Sequence, residues 1–276
     1  MLRLRIFTAL VGAILVIGGI FFLPPVGLAA IGGLVTLVAA WEWSRLSSCP
    51  DWGLRIGFLA AVAGLAFATW QFGQTVTMAW LLAACVFWLA VAGWLLSGGG
   101  PRAASTGVRW GWLAVGLVIL PPLALAIAML AERADWIGRA FLLYAIGIVW
   151  AADIGAYFAG RAWGRHKLAP RVSAGKTVEG LVGGVVAVVL YALAGLGLFG
   201  VPYGGWLPWM AIAVVAGLLS VAGDLLESVI KREAGVKDSG RILPGHGGLL
   251  DRVDSLIAAA PVVVVGLAWA NTGFLS

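Results

Sequence analysis

Long apolar runs alternate with short polar segments along the whole chain. A transmembrane helix needs about 20 mostly apolar residues, and most of the runs approach that length. Pro24–Pro25 and Pro202 interrupt the pattern because proline lacks an N–H, and 97–101 is a glycine-rich connector. The pattern predicts an all-α, polytopic integral membrane protein with about nine transmembrane helices. The predicted spans cover residues 6–23, 26–43, 56–70, 76–96, 110–131, 140–160, 180–200, 206–226 and 256–274.

The composition agrees with a membrane protein. Of 276 residues, 62% are hydrophobic and only 11% are charged, whereas about 25% of a soluble domain is charged. These values exclude an ordinary soluble enzyme and a disordered chain. The two cysteines, Cys49 and Cys85, are too far apart in sequence to form a Cys-x-x-Cys motif.

The basic residues predict an orientation. The net charge is +6, but in a membrane protein Lys and Arg first report which loops face the cytosol, so no nucleic-acid partner is predicted. If the N-terminus is cytosolic, 16 of the 18 basic residues fall in cytosolic segments, and only Arg133 and Arg139 fall outside. The sequence therefore predicts N-in, C-out.

The acidic residues are concentrated in the second half. Eight of the twelve lie between Asp153 and Asp254. This asymmetry predicts two regions: a transmembrane scaffold of about five helices over residues 1–139, and a catalytic transmembrane region over residues 140–276. The catalytic region contains two predicted cytosolic loops, 161–179 and 227–255.

A first group of candidate residues extends from Asp153 to Gly180. Asp153 lies within a predicted span, where an ionised carboxylate costs several kcal/mol unless it has a partner; it is either functional or hydrogen-bonded to a neighbouring helix. Gly175-Lys176-Thr177 resembles the end of a P-loop, but Pro170 occupies the position of the required earlier glycine and a helix precedes the loop. The loop's five cations can bind phosphates or lie on anionic lipid.

A second group is denser. On a helix leaving the membrane, Asp224, Glu227 and Lys231 fall on one stripe, so carboxylates and an ammonium share a face. Asp251 and Asp254 are three residues apart at the entry to the ninth span, and both can point at one cation. Carboxylate oxygens suit Mg²⁺, although an isolated Asp-x-x-Asp pair is also common on solvated surfaces.

Between these acids lies a glycine-rich segment, 244–248. Its His246 is either a turn residue or a hydrogen-bonding partner; only one other histidine, His166, is present, which argues against zinc. Glycine runs are typical of turns. However, metal-binding acids, phosphate-binding bases and glycines occur together within about 30 residues, and this combination predicts a functional site.

The run from Ser228 to Asp254 resembles the defining motif of phosphatidate cytidylyltransferases, also called CDP-diacylglycerol synthases. It reads Ser-x-x-Lys-Arg-x-x-x-x-Lys-Asp-Ser-Gly-x-x-x-Pro-Gly-His-Gly-Gly-x-x-Asp-Arg-x-Asp. The segment 153–180 is similar to a second region of the same family, except that Ala174 stands where a proline is expected. The resemblance covers residues 150–256.

This resemblance implies that CTP and phosphatidate react to give CDP-diacylglycerol and pyrophosphate at the cytosolic face of the membrane, here predicted to be a bacterial inner membrane. It implies Mg²⁺, allows a second cation such as K⁺, and suggests a homodimer. The implied catalytic residues are Asp224, Lys231 and Asp251, and the implied metal ligands are Asp224, Asp251 and Asp254. The implied substrate-binding residues are Asp153, Arg161, Lys167, Ser173, Lys176, Thr177, Ser228, Arg232, Lys237, Asp238, His246, Gly247, Gly248 and Arg252.

A membrane transporter or channel is the alternative from another class. Nine spans, abundant glycine and an intramembrane Asp153 would suit it. A transporter, however, would carry polar residues at mid-membrane depth on several helices, whereas here they cluster at one face. The acid-rich pattern of CDP-alcohol phosphotransferases is absent from the sequence.

Overall fold

The computed structural model describes residues 2–102, 107–132, 135–242 and 247–270, with side chains from residue 11 onward. Within these ranges the chain forms nine α-helices and one short two-stranded sheet. The helices are α1 (Leu2–Phe22), α2 (Pro25–Leu46), α3 (Trp52–Gln71), α4 (Gln74–Leu96), α5 (Trp110–Glu132), α6 (Trp136–Trp163), α7 (Val178–Leu198), α8 (Trp206–Glu233) and α9 (Leu250–Trp269), and the strands are β1 (Lys167–Ala169) and β2 (Ser173–Thr177).

The helices confirm the predicted membrane architecture. Among the described residues, the eight helices α2 to α9 are long and apolar enough to cross a membrane, and α1 contributes a shorter apolar segment, Val11–Phe22. Large apolar side chains such as Phe67, Leu82 and Leu190 point outward. Exposed apolar side chains on helices of this length suit contact with lipid. The chain is therefore an integral membrane protein.

Several helices extend beyond the predicted spans, because hydropathy reports only the apolar part of a helix. α3 begins at Trp52, four residues before the predicted start, because Asp51 caps it by accepting from the Leu54 N–H at 2.9 Å. In the second half of the chain, α8 continues beyond the predicted span through polar residues to Glu233. α9 begins at Leu250 and ends at Trp269, earlier than predicted at both ends.

The predicted loop 161–179 contains ordered structure that the sequence analysis missed. β1 and β2 pair antiparallel as a hairpin, with Lys167 opposite Thr177. Glu179, in the first turn of α7, accepts from the backbone N–H of Arg165 (3.1 Å) and of His166 (3.2 Å), which ties the residues before β1 to α7. The hairpin therefore lies directly against the beginning of α7.

Small residues allow α6 and α7 to pack closely. A Cβ added at Gly155 would lie 2.5 Å from the Gly183 carbonyl oxygen, and one added at Gly184 would lie 2.9 Å from the Ala152 carbonyl oxygen. Gly180 and Gly183 of α7 also approach α6 closely. In the structure these glycines contact α6 of the same chain, which places Asp153 of α6 beside the hairpin.

Helix α9 packs against α8, α5 and α4 and also contacts α6 and α2. Trp43, Trp88 and Trp209, from α2, α4 and α8, are fully buried in the core around it. The N-terminal and C-terminal regions distinguished in the sequence thus share one core.

The segments predicted to be cytosolic lie at one end of the bundle. Arg109, before α5, donates to the backbone carbonyls of Leu46 (3.3 Å) and Glu233 (2.5 Å), at the ends of α2 and α8. At the opposite end, Arg139 of α6 donates to the Ile20 carbonyl of α1 at 2.6 Å. The ends of α2 and α8 thus lie at one end of the bundle and the end of α1 at the other, as the predicted alternation of spans requires.

Candidate active site

Helices α8 and α9 bring the two acidic groups of the sequence together. A Cβ added at Gly223 of α8 would meet the Asp254 carbonyl oxygen and would lie 3.2 Å from the Ala258 Cβ, so only glycine allows this close approach. As a result, the polar stripe of α8 lies directly beside the first turns of α9.

Lys231 lies at the centre of this contact. Its Nζ donates to Glu227 Oε2 at 2.5 Å and to Asp251 Oδ1 at 2.7 Å. The side chains are largely buried, with exposed fractions of 13% for Lys231, 1% for Glu227 and 10% for Asp251. The ammonium is therefore fixed between two carboxylates, one from each helix.

Asp251 is held by the backbone as well as by Lys231. Its Oδ2 accepts from the N–H groups of Ser239 (3.0 Å) and Gly248 (2.8 Å). Gly247 has φ 81°, and a Cβ at this position would lie 2.7 Å from Asp251 Oδ2. The predicted glycine pair thus places backbone against the carboxylate. His246 lies outside the described residues.

The hairpin supplies a second ion pair. Lys176 Nζ of β2 lies 2.8 Å from Asp224 Oδ2 of α8, and both side chains are partly exposed. Ser228 Oγ lies 3.4 Å from the other Asp224 oxygen. Asp153 interacts electrostatically with Lys176, Asp224 and Arg252. Residues of α6, β2, α8 and α9 thus meet around Asp224.

Asp254 is buried behind this cluster. Its Oδ1 accepts from the Ser255 N–H at 2.6 Å, and it interacts with Asp224, Lys176 and Glu227. Glu227 Oε1 is buried and has no hydrogen-bond donor among the described residues. Two neighbouring buried carboxylates require a proton or a cation between them.

These oxygens fit a hard cation. Within the described ranges, no three Asp, Glu, His or Cys side chains form a ready-made metal site. Mg²⁺, however, usually takes one or two carboxylates and completes its shell with phosphate and water. Asp224 and Asp254 have oxygen valences left for this role, whereas the Asp251 oxygens already accept Lys231 and two backbone N–H groups.

Three of the predicted substrate-binding residues make local contacts near the hairpin. Arg161 is exposed and donates to the Tyr157 hydroxyl at 2.8 Å. Lys167 Nζ donates to the Ala174 carbonyl at 2.8 Å, across the hairpin. Thr177 is buried and caps α7 by accepting from the N–H three residues later. These three side chains therefore contact the hairpin and its flanking helices. Among the described hairpin residues, only Lys176 pairs with a carboxylate of the α8–α9 cluster.

The remaining predicted residues lie at the edge of the cluster. Ser173 is half-buried at the start of β2. Arg232 is exposed, and its Nε lies 3.5 Å from the Val172 carbonyl oxygen. Lys237 and Asp238 are exposed and line an open cavity beyond the end of α8.

The structure adds one residue that the sequence analysis did not single out. Glu42 of α2 is fully buried, and it accepts from Ser239 Oγ (2.9 Å), the Leu249 N–H (3.2 Å) and the Leu250 N–H (2.7 Å). A carboxylate at a helix N-terminus is favourable because of the helix dipole. The signal was present in the sequence, since Glu42 lies within the predicted span 26–43, where a charge needs a partner.

Comparisons with known proteins show which family the chain is similar to. A model of the Cytidylyltransferase family matches residues 3–269. A phosphatidate cytidylyltransferase of Pseudomonas aeruginosa is 40% identical over 271 residues, covering 98% of both chains. One of Haemophilus influenzae is 33% identical, covering 95% of this chain and 96% of its own, and one of Brucella abortus is 36% identical, covering 100% and 97%.

Proposed function

Because the chain belongs to the cytidylyltransferase family, we propose that it transfers a cytidylyl group from CTP to phosphatidate, giving CDP-diacylglycerol and pyrophosphate for phospholipid biosynthesis. The main support for this proposal is the Lys231–Asp251 ion pair, which joins the two ends of the motif in a buried site at the end of the bundle. Here acids, bases and glycine backbone meet as nucleotidyl transfer requires.

The nucleophile in this reaction is a phosphate monoester oxygen of phosphatidate. Its second pKa is about 6, so the oxygen is mostly charged at neutral pH and no side chain has to remove a proton. This oxygen bonds to the α-phosphorus of CTP as the bond from that phosphorus to the β-phosphate oxygen breaks. The electron pair of the broken bond leaves with pyrophosphate.

In this mechanism Lys231 stabilises the charge on the α-phosphate of CTP as the cytidylyl group is transferred. Glu227 and Asp251 hold its ammonium in position before substrate arrives, and preorganised charge of this kind is the main source of stabilisation in phosphoryl transfer. Lys176 offers a second cation at the partly exposed Asp224. Asp251 therefore acts chiefly by positioning Lys231 and the backbone of Ser239 and Gly248.

Asp224 and Asp254 would hold Mg²⁺, which neutralises phosphate charge and orients the triphosphate when bound. Asp251, the third predicted ligand, lies one turn before Asp254 on α9, but its oxygens already accept from Lys231 and two backbone N–H groups. Glu227, whose Oε1 has no donor in the described structure, would bind a second cation such as K⁺ together with Asp254.

The membrane setting follows from the same proposal. The bacterial relatives support an inner-membrane location, and the distribution of basic residues supports N-in, C-out with the active site at the cytosolic face. A membrane substrate also requires a site within reach of lipid. The homodimer suggested by the family resemblance stays a prediction.

A direct assay tests the proposal. Purified protein in nanodiscs is given CTP, phosphatidate and Mg²⁺, and we expect pyrophosphate and a cytidine-bearing lipid, with the reaction stopping when a chelator removes the metal. Asp251→Asn should lower kcat by roughly 10²–10³, the effect of losing one preorganised stabilising group. Asp51→Asn is the matched control because asparagine also caps a helix N-terminus well.

A transporter would give the opposite result in this assay. Folded wild-type protein that forms no cytidine lipid, but carries a solute across liposomes, would overturn the proposal. Asp251→Asn turning over as fast as Asp51→Asn would keep the activity but remove Asp251 from the mechanism.

A further inference from the structure

A polar cavity lies beyond the catalytic cluster, and Lys237 and Asp238 of the predicted substrate-binding set are among the residues that line it. It has a volume of about 530 Å³ and lies between the C-terminal end of α2 and the segment that follows α8. This size is within the roughly 300–1,000 Å³ of small-molecule sites. The polar residues that line it are Arg45, Ser48, Lys237, Asp238, Ser239 and Arg241.

The charge of this cavity is unbalanced. Arg45, Lys237 and Arg241 line it with a single carboxylate, Asp238. Across the described part of the chain, none of the three cations forms a salt bridge. Like charges that converge on one space without a counter-charge favour binding of an anion.

The end of α2 adds a further donor. Ser48 has φ 58°, the left-handed conformation in which glycine usually ends a helix. A side chain in this conformation carries a backbone cost that is typical of functional positions. At this position Ser48 stands where glycine is usual, so the cavity wall gains a hydroxyl group.

The cavity shares a wall with the catalytic cluster. Ser239 donates its N–H to Asp251 and its hydroxyl to Glu42, and the site that a Gly247 Cβ would take lies 3.3 Å from the Asp238 Cβ. The segment 238–240 therefore has Asp251 on one side and the cavity on the other. Arg45 lies one helical turn after Glu42 on α2, so the hydrogen bonds of Glu42 also fix the position of Arg45.

We propose that this cavity binds the β- and γ-phosphates of CTP and holds them as pyrophosphate after transfer, with Arg45 and Arg241 as binding residues beside Lys237. The inference rests on the proposed function. Arginine suits the role because its planar group can donate two parallel hydrogen bonds to phosphate oxygens. An anionic lipid headgroup offers the same phosphate chemistry, and the test below distinguishes the two sources.

The experiment measures pyrophosphate binding without turnover. Isothermal titration calorimetry is performed on the full-length protein in nanodiscs of neutral phosphatidylcholine, with and without Mg²⁺. Arg45→Gln and Arg241→Gln should each raise the Kd for pyrophosphate by about tenfold or more, the effect of losing a charge-assisted hydrogen bond. Arg102→Gln is the matched control, since Arg102 is an exposed arginine that does not line this cavity. Thermal unfolding of each variant verifies that it is folded.

Kinetics supply a second readout. In the synthase assay the two variants should raise the KM for CTP by a similar factor and leave the KM for phosphatidate within about twofold, since one lost contact changes the affinity for its own ligand. A repeat in nanodiscs with anionic phosphatidylglycerol tests the lipid source. Variants that lose only a response to this lipid, with unchanged pyrophosphate affinity, would overturn the inference.

The failure of each idea has a separate signature. Wild-type protein that forms the cytidine lipid but does not bind pyrophosphate, or binds it as tightly as both variants, overturns the cavity assignment and leaves the function standing. Wild-type protein that forms no cytidine lipid overturns the function, whatever the titration shows.

Discussion

Replacing Glu42 by glutamine tests how the first half of the chain supports the site. Glu42 accepts three hydrogen bonds, one from Ser239 Oγ and two from the N–H groups of Leu249 and Leu250. The glutamine carbonyl can take the place of Oε2 and keep the Ser239 and Leu250 bonds. Its NH₂ group then faces the Leu249 N–H, which loses its acceptor.

The structure sets the magnitude of this loss. One buried unsatisfied donor costs about 1–3 kcal/mol, and loss of a carboxylate at a helix N-terminus adds roughly 0.3–2 kcal/mol. We therefore expect Glu42→Gln to destabilise the protein by about 1–5 kcal/mol. Since Ser239 and Gly248 also hold Asp251, we expect kcat to fall at least about tenfold, which corresponds to 1.4 kcal/mol of lost positioning.

Thermal unfolding in detergent and steady-state kinetics well below the unfolding temperature measure the two effects. The exposed Glu132 provides the matched control, Glu132→Gln. A double-mutant cycle with Ser239→Ala should show a coupling of about 0.5–3 kcal/mol, because the residues are in direct contact. Unchanged unfolding and unchanged kcat in Glu42→Gln would refute the idea that α2 anchors the motif.

Two further expectations follow from the same geometry. Lys231→Met should destabilise the fold by about 3–5 kcal/mol because it leaves Glu227 and Asp251 without their cation. Adding Glu227→Gln should restore part of the stability but none of the turnover. Recovered turnover in the double variant would show that Lys231 has no catalytic role. Reporters fused within 233–250 and after Ser276 should read as cytosolic and extracytosolic, respectively, and equal readings at the two positions would contradict the nine-span topology.

The sequence predicted the helices well because each span is defined by its own apolar run. It predicted the stripe of Asp224, Glu227 and Lys231 because those residues share one helix face, a purely local property. Helix ends were less accurate: α9 begins at Leu250 instead of 256, since the first turn is polar and hydropathy does not report it. The hairpin was missed because strands of three and five residues carry too little pattern.

Contacts between distant segments were beyond the sequence. Gly247 and Gly248 were predicted to bind substrate, which stays a prediction, and their spacing could not show that the Gly248 N–H holds Asp251. The partners of Glu42 are about two hundred residues away, and no local pattern connects positions so far apart. Thr177 was expected to bind substrate because of the family resemblance, and this stays a prediction; the sequence did not show that Thr177 also caps α7.

The long separation between Glu42 and its partners has a consequence for biosynthesis. Glu42 enters the bilayer with α2, whereas the Leu250 N–H that it binds is 208 residues further along. At about 5–20 residues per second, the ribosome needs roughly 10–40 seconds to make that segment. During this interval the carboxylate of Glu42, near the end of the predicted span 26–43, is without its final donors, which is unfavourable if it is charged. Insertion of α9 ends this unfavourable state, so completion of the bundle and assembly of the catalytic centre occur in the same late step.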